Sequence, residues 1–161
     1  MKRIILLAFL CTTTLVMAQR INHVQEAIAN YDYEAALTLI AKEKPTIPLL
    51  LQKGKAQRGL GMNTEALSTY QEIITNDTAN TRAYIEAAEC CRSLAKYQQA
   101  LKYYEQALDL NPENKYVRIQ YIGLLLSLQK FQDALGESSL MTEKDRSEER
   151  RVGKECRSRW S

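Results

Sequence analysis

The chain has 161 residues, 45% of them apolar and 25% charged, which fits one soluble domain with a modest core. The formal charge of +3 sits at the ends. Six of the 22 basic residues fall in 146–161 and two are Lys2 and Arg3, leaving 14 basic against 16 acidic side chains in 19–145. That body lacks the basic excess a nucleic-acid-binding stripe needs, and six Gly and three Pro among many Ala, Leu, Gln and Glu favour helix.

Residues 1–18, MKRIILLAFLCTTTLVMA, read as an address. Lys2 and Arg3 lead an apolar run from Ile4 to Leu10, and Val16 and Ala18 hold the small-residue spacing of a signal-peptidase site. The pattern predicts a cleaved secretory signal and a mature chain from Gln19. The run is short for a bilayer span of about 20 residues, and Thr12, Thr13 and Thr14 dilute it, which argues against a membrane anchor. Cys11 follows Phe9 and Leu10, where a lipid-attachment motif needs small residues, so lipidation is not expected. The short Lys/Arg-led signal predicts export by a bacterium to its periplasm or cell surface, an oxidising compartment. Cys90, Cys91 and Cys156 would remain after cleavage. Adjacent Cys on a helix point about 100° apart and cannot pair with each other, so Cys90 and Cys91 read as small packing residues.

Residues 20–46 make a first, looser unit. Ile21, Val24 and Ile28 have the spacing of one helix face, and NYDYEAALTLIAKEKP, Asn30 to Pro45, adds a turn aromatic, Tyr33, then Ala36 and Leu37. Pro45 and Pro48 punctuate the junction. From there one fixed period, 34, recurs along the chain. GLGMNTEALSTYQEIITND, SLAKYQQALKYYEQALDLN and SLQKFQDALGESSLMTEKD, starting at Gly59, Ser93 and Ser127, align without gaps. Leu60, Leu94 and Leu128 coincide, as do Ala66, Ala100 and Ala134, then Leu67, Leu101 and Leu135. Asn63, Tyr97 and Phe131 share the turn slot; Tyr70 matches Tyr104, with Ser138 as the exception. The Ala36-Leu37 pair of the first unit leads Ala66-Leu67 by less than one period, 30 against 34, so its second helix or linker is shorter.

Units of about 47–80, 81–114 and 115–145 follow, each with two helical stretches around a short polar break. Tyr84, Ala88, Cys91 and Leu94 form one apolar stripe; Tyr97, Ala100, Leu101, Tyr104, Ala107 and Leu108 form another. Two helices cannot bury both stripes alone, so the units must stack. The small Ala slot lets paired helices approach, and the Tyr slot fills the space beside the next unit.

A period of 34, an Ala followed four residues later by an aromatic, and a closing Pro112 are similar to the tetratricopeptide repeat. YIEAAECCRSLAKYQQALKYYEQALDLNP, Tyr84 to Pro112, matches it best, although Tyr84 and Leu50 stand where that repeat has a Trp. The resemblance covers about 19–145. It implies an all-α fold, helix-turn-helix repeats stacked as a right-handed α-solenoid. It also implies that the first helices of successive units line a concave groove that binds peptides or partner helices. Carried over slot by slot, that groove would present Leu51, Lys55 and Arg58 from the second unit, Arg82, Ile85, Glu89 and Arg92 from the third, and Tyr116, Ile119 and Gly123 from the fourth. Arg forks there could meet carboxylates.

Catalytic constellations are not found. His23 is the lone His and has no recognisable nucleophile partner. GLGMNT at 59–64 lacks the Lys-Ser/Thr end of a phosphate loop, and Glu65, Glu72, Glu86 and Glu89 sit at helical spacings typical of solvated faces. No catalysis, cofactor, metal, nucleic acid or membrane beyond the signal is expected. The expected function is a scaffold or adaptor of the bacterial envelope that binds protein through the groove. The alternative is the helical arm of a larger protein, an enzyme or sensor, whose C-terminal part is missing.

The last residues, RSEERRVGKECRSRWS at 146–161, break the repeat pattern. They resemble the translation of a short-read sequencing adapter, whose opening bases AGATCGGAAGAGC encode Arg146 to Glu149 and the start of Arg150. On that reading the tail is not native, and the fourth unit is interrupted near Asp145.

Overall fold

The computed structural model describes residues 22–142, so the expected signal sequence and the 146–161 tail lie outside it. Among the described residues the chain is helical, with no strand. A helix α1 occupies 22–29. There follow α2 (Tyr33–Ile40), α3 (Ile47–Gly59), α4 (Asn63–Asn76), α5 (Thr81–Ser93), α6 (Tyr97–Leu110) and α7 (Lys115–Ser127), and α8 occupies 131–142. Each helix from α2 to α7 packs mainly on its neighbours in the chain, the one-dimensional order of a repeat solenoid.

The turn inside every unit is built the same way. Tyr31, Gly61, Ala95 and Gln129 all have φ between 56° and 76°. The last three are spaced by the repeat period, and Tyr31 leads Gly61 by the shorter step of the first unit. Each ends its helix with two backbone bonds that use the last free carbonyls. Gly61 N donates to Arg58 O at 2.9 Å and Met62 N to Gln57 O at 2.9 Å; Ala95 N donates to Arg92 O and Lys96 N to Cys91 O at 3.0 and 2.8 Å. This is the left-handed helix stop that glycine favours, yet only Gly61 is glycine. The turns between units that lead into α5 and α7 use side-chain caps, whereas Thr46 before α3 makes none. The Oδ1 atoms of Asn80 and Asn114, one period apart, accept from Ala83 N at 3.1 Å and Val117 N at 3.2 Å, freeing α5 and α7 of one orphan donor each.

The small-residue slot is buried throughout: Ala36, Ala66 and Ala100 are fully covered and Ala134 nearly so. Tyr70 and Tyr104 are buried between units. Tyr70 lies so close to α3 that a Cβ on Gly54 would stand 2.5 Å from its ring. Cys90 and Cys91 are free thiols inside the main core, which runs from Leu50 to Ala134; a smaller core joins α1 and α2 to α3 through Val24, Ile28, Ile40 and Leu49. Two stripe positions depart from expectation. Tyr97 is 43% exposed because it starts α6 at the rim, and Leu135 is 64% exposed although Leu67 and Leu101 in its slot are buried, since those two are covered by a following helix and α8 is the last described one.

Candidate functional site

The first helices of units two, three and four stand side by side, joined by one contact used twice. Arg58 on α3 forms an ion pair with Glu86 on α5. Arg92 on α5 donates to Gln120 Oε1 on α7 at 2.7 Å. Both pairs have the same sequence separation, 28, and both partners recur one period later, so stacking at a constant offset repeats the rung.

Behind each rung lies the aromatic slot, bonded to the rung at Tyr104 and not at Tyr70. The Tyr104 hydroxyl donates to Glu89 Oε1 at 2.5 Å and lies 3.3 Å from Arg92 Nη1, which is itself 3.4 Å from Glu89. Burial pushes the Tyr104 phenol up, and the bond to Glu89 adds to it. The bond to Tyr104 raises Arg92, against the opposing effect of burial, and Glu89 and the Tyr116 phenol reinforce it. Burial works against the charge of Arg58, yet Glu86 keeps its guanidinium above the usual value. Tyr70, in the slot of Tyr104, has no hydrogen-bond partner for its hydroxyl; it is the one such buried side-chain atom among the described residues. Behind α3, Thr69 donates to Gln57 Oε1 at 2.8 Å, a buried polar pair.

The groove residues expected from the repeat slots therefore fall into three groups. Arg58, Glu89 and Arg92 are partly covered and engaged in the contacts above. Leu51 and Ile85 are half-buried against the core. Lys55, Arg82, Tyr116, Ile119 and Gly123 are exposed. Tyr116 and Ile119 are 58% and 53% exposed, and Leu126, two turns further along α7, is 49% exposed. Between α5 and α7 opens a cleft of about 600 Å³, lined by Glu89, Arg92, Tyr97, Gln120, Gly123 and Leu124 among others. Slot matching missed Glu86, Gln120, Tyr97 and the hydroxyl of Tyr104. The signal for the first two was present, since Arg58 and Arg92 are followed at one constant interval by a side chain able to accept from them.

His23 is exposed, with Glu26 Oε2 at 3.8 Å from its Nδ1. Among the described residues no group of three or more His, Cys, Asp or Glu is placed to hold a metal ion, and no helix is long and apolar enough to cross a membrane.

Two family models described as tetratricopeptide repeat match the sequence, over residues 51–115 and 92–152. No curated protein matches it. Solved structures resemble it in fold. MamA from Desulfovibrio magneticus is 17% identical with a TM-score of 0.72, over 80% of this chain and 75% of that one. The first such domain of Spaghetti (RPAP3), bound to the HSP90 peptide SRMEEVD, is 20% identical with a TM-score of 0.66, over 70% of this chain and 92% of that one. A tetratricopeptide repeat protein from Parabacteroides merdae is 24% identical with a TM-score of 0.66, over 74% of this chain and 50% of that one.

Proposed function

Because the chain belongs to the tetratricopeptide repeat family, we propose that it is a non-catalytic scaffold whose partner, an extended peptide or a helix, lies along the face of α3, α5 and α7. The observation that carries this reading is what that face leaves over. Tyr116, Ile119 and Leu126 stand exposed on α7 beside the α5–α7 cleft, while Lys55 and Arg82 are exposed on α3 and α5. Apolar anchors near a polar cleft suit a peptide whose side chains alternate between the two. Spaghetti is seen with an acidic heptapeptide, and a segment of similar character fits the cations here.

The pattern of 1–18 supports a place in the bacterial envelope, where the partner would be another exported protein. N-terminal sequencing of the protein recovered from its host should start at Gln19; a start at Met1 would remove that part.

Panning a library of random dodecapeptides on the full chain tests the groove. Enriched peptides should lose binding to Tyr116→Ala and Ile119→Asp, and keep it with Lys102→Asp, which alters an exposed site on α6. Peptides indifferent to both α7 substitutions would count against this face.

A further inference from the structure

The second unit departs from its neighbours on the side of α3 that faces away from the groove. Lys53 and Gln57, one turn apart, occupy slots that hold Ala87 and Cys91 one period later, and Tyr121 and Leu125 in the unit after that. Those four are buried. Two polar side chains thus stand where later units put apolar core. By helical spacing this stripe lies roughly opposite Lys55 and Arg58 on α3.

The helix that should cover the stripe is cut short. α2 has 8 residues where α4 and α6 have 14 each. Ile73 and Ala107 are fully buried in α4 and α6. They have no helical counterpart here, because their slot falls on Glu43, past the end of α2. Leu37 shows the consequence. Its counterparts Leu67 and Leu101 are buried, whereas Leu37 stays half-exposed although α3 follows it. Between α2 and α3 remains a cavity of about 340 Å³, lined by the aliphatic Leu37, Ile40, Leu49 and Leu50 and by Lys53 and Gln57. Lys53 is half-buried, and no ion pair holds it among the described residues. Thr69 donates to the Gln57 carboxamide oxygen at 2.8 Å, which leaves the amide protons to serve a ligand. Glu43, also on the wall, is itself engaged.

We propose that this cavity binds a medium-chain alkyl acid, with its chain against the four aliphatic residues and its acid group on Lys53. The Gln57 amide is the second donor. An apolar lining with a few convergent polar groups is the make-up of a small-molecule pocket, and the volume falls at the lower end of their range. At about 30 Å³ per heavy atom, the share a water takes in the liquid, the cavity holds about eleven, which is the size of octanoate. A neutral alcohol of that length would leave the Lys53 charge unpaired in a partly covered site, a cost the acid avoids. The inference does not rest on the groove reading, since this cavity and the α5–α7 cleft share no residue.

The test titrates the full chain with octanoate, 1-octanol and a series of acids from butanoate to dodecanoate, all below their micelle concentrations. The methyl NMR signals of Leu37, Ile40, Leu49 and Leu50 are the reporters. Octanoate should shift these methyls and bind about ten-fold more tightly than 1-octanol, as a charge-assisted hydrogen bond predicts. Affinity should rise about four-fold per methylene up to octanoate and level off in the longer acids, because the cavity is then full. Lys53→Met should lose the preference for acid over alcohol. Leu37→Phe, which fills the cavity, should block every ligand. The proposal is overturned if acid and alcohol bind alike, or if Lys53→Met keeps the preference. It is overturned as well if affinity climbs through dodecanoate, the mark of adsorption to any apolar surface. It also falls if octanoate does not bind, whether the same methyls then respond to a panned peptide or to self-association of the chain.

Discussion

Tyr104 and Glu89 are bound hydroxyl to carboxylate at 2.5 Å, from inside the solenoid out to its first-helix face. The corresponding hydroxyl of Tyr70 has no partner. Removing the two hydroxyls should therefore have unequal effects. Tyr104→Phe takes a charge-assisted bond from Glu89 and should lower stability by about 1.5–3 kcal/mol. Tyr70→Phe removes a buried polar atom that is already unsatisfied and should be neutral or slightly stabilising. Urea unfolding of both variants checks this; equal losses would mean that the Tyr70 hydroxyl is hydrogen-bonded in solution.

Ala95 and Gln129 hold φ of 56° and 60°, a region in which a side chain is strained by roughly 1–2 kcal/mol. Glycine removes the strain but adds entropy to the unfolded chain, roughly 0.5–1 kcal/mol. Ala95→Gly should thus gain up to about 1 kcal/mol, and Gly61→Ala, at φ 76°, should lose a similar amount. Thermal unfolding of the two single variants should move Tm in opposite directions.

These turns show where reading the chain succeeds and fails. The repeat period, the buried Ala slot and the helix pairs were legible because each depends on residue size and spacing within one unit. The left-handed residue was legible only at Gly61. At Ala95 and Gln129 the backbone bonds that stop the helix impose the conformation, and no residue type announces it. The groove was legible as a set of slots but not as a network. Whether Arg58 is free or paired depends on how far one unit is displaced along the next, which sets the rung to Glu86, and that is a tertiary quantity. Leu51 and Ile85 turn partly toward the core for the same reason.

Ala100 is fully buried at the crossing of α5 and α6. Ala100→Leu adds three carbons where the neighbouring helix has no room to retreat, and should lower stability by about 1–3 kcal/mol. Gly54→Ala should act similarly, since the added Cβ would stand 2.5 Å from the buried Tyr70 ring; Gly123→Ala, where a Cβ meets nothing within 4 Å, is the control and should gain about 0.5–1 kcal/mol from helix propensity. A destabilised Gly123→Ala would indicate that the control site is more crowded than the fold implies.

Burial also governs how the protein responds to alkali. The Cys90 thiol is pushed up from 9.0 to about 12, chiefly by burial, with Arg58 opposing and Glu86 reinforcing; Cys91 shifts the same way. Tyr70, Tyr104 and Tyr121 are raised as well, each first by burial. For an acid whose folded value is raised, the native state holds protons that the unfolded chain has released. Stability is therefore complete below the unfolded value and declines as pH rises through it. The thiols should begin this decline near pH 9 and the phenols near pH 10, each with a slope approaching about 1.4 kcal/mol per pH unit. Cys90→Ala should flatten the early part of the curve and leave the later part. The same burial makes both thiols slow to alkylate at pH 8: iodoacetamide should modify them at the rate of unfolding, and urea should accelerate the reaction. Labelling as fast as a free thiol, with the fold intact, would show that the core around α5 opens without global unfolding.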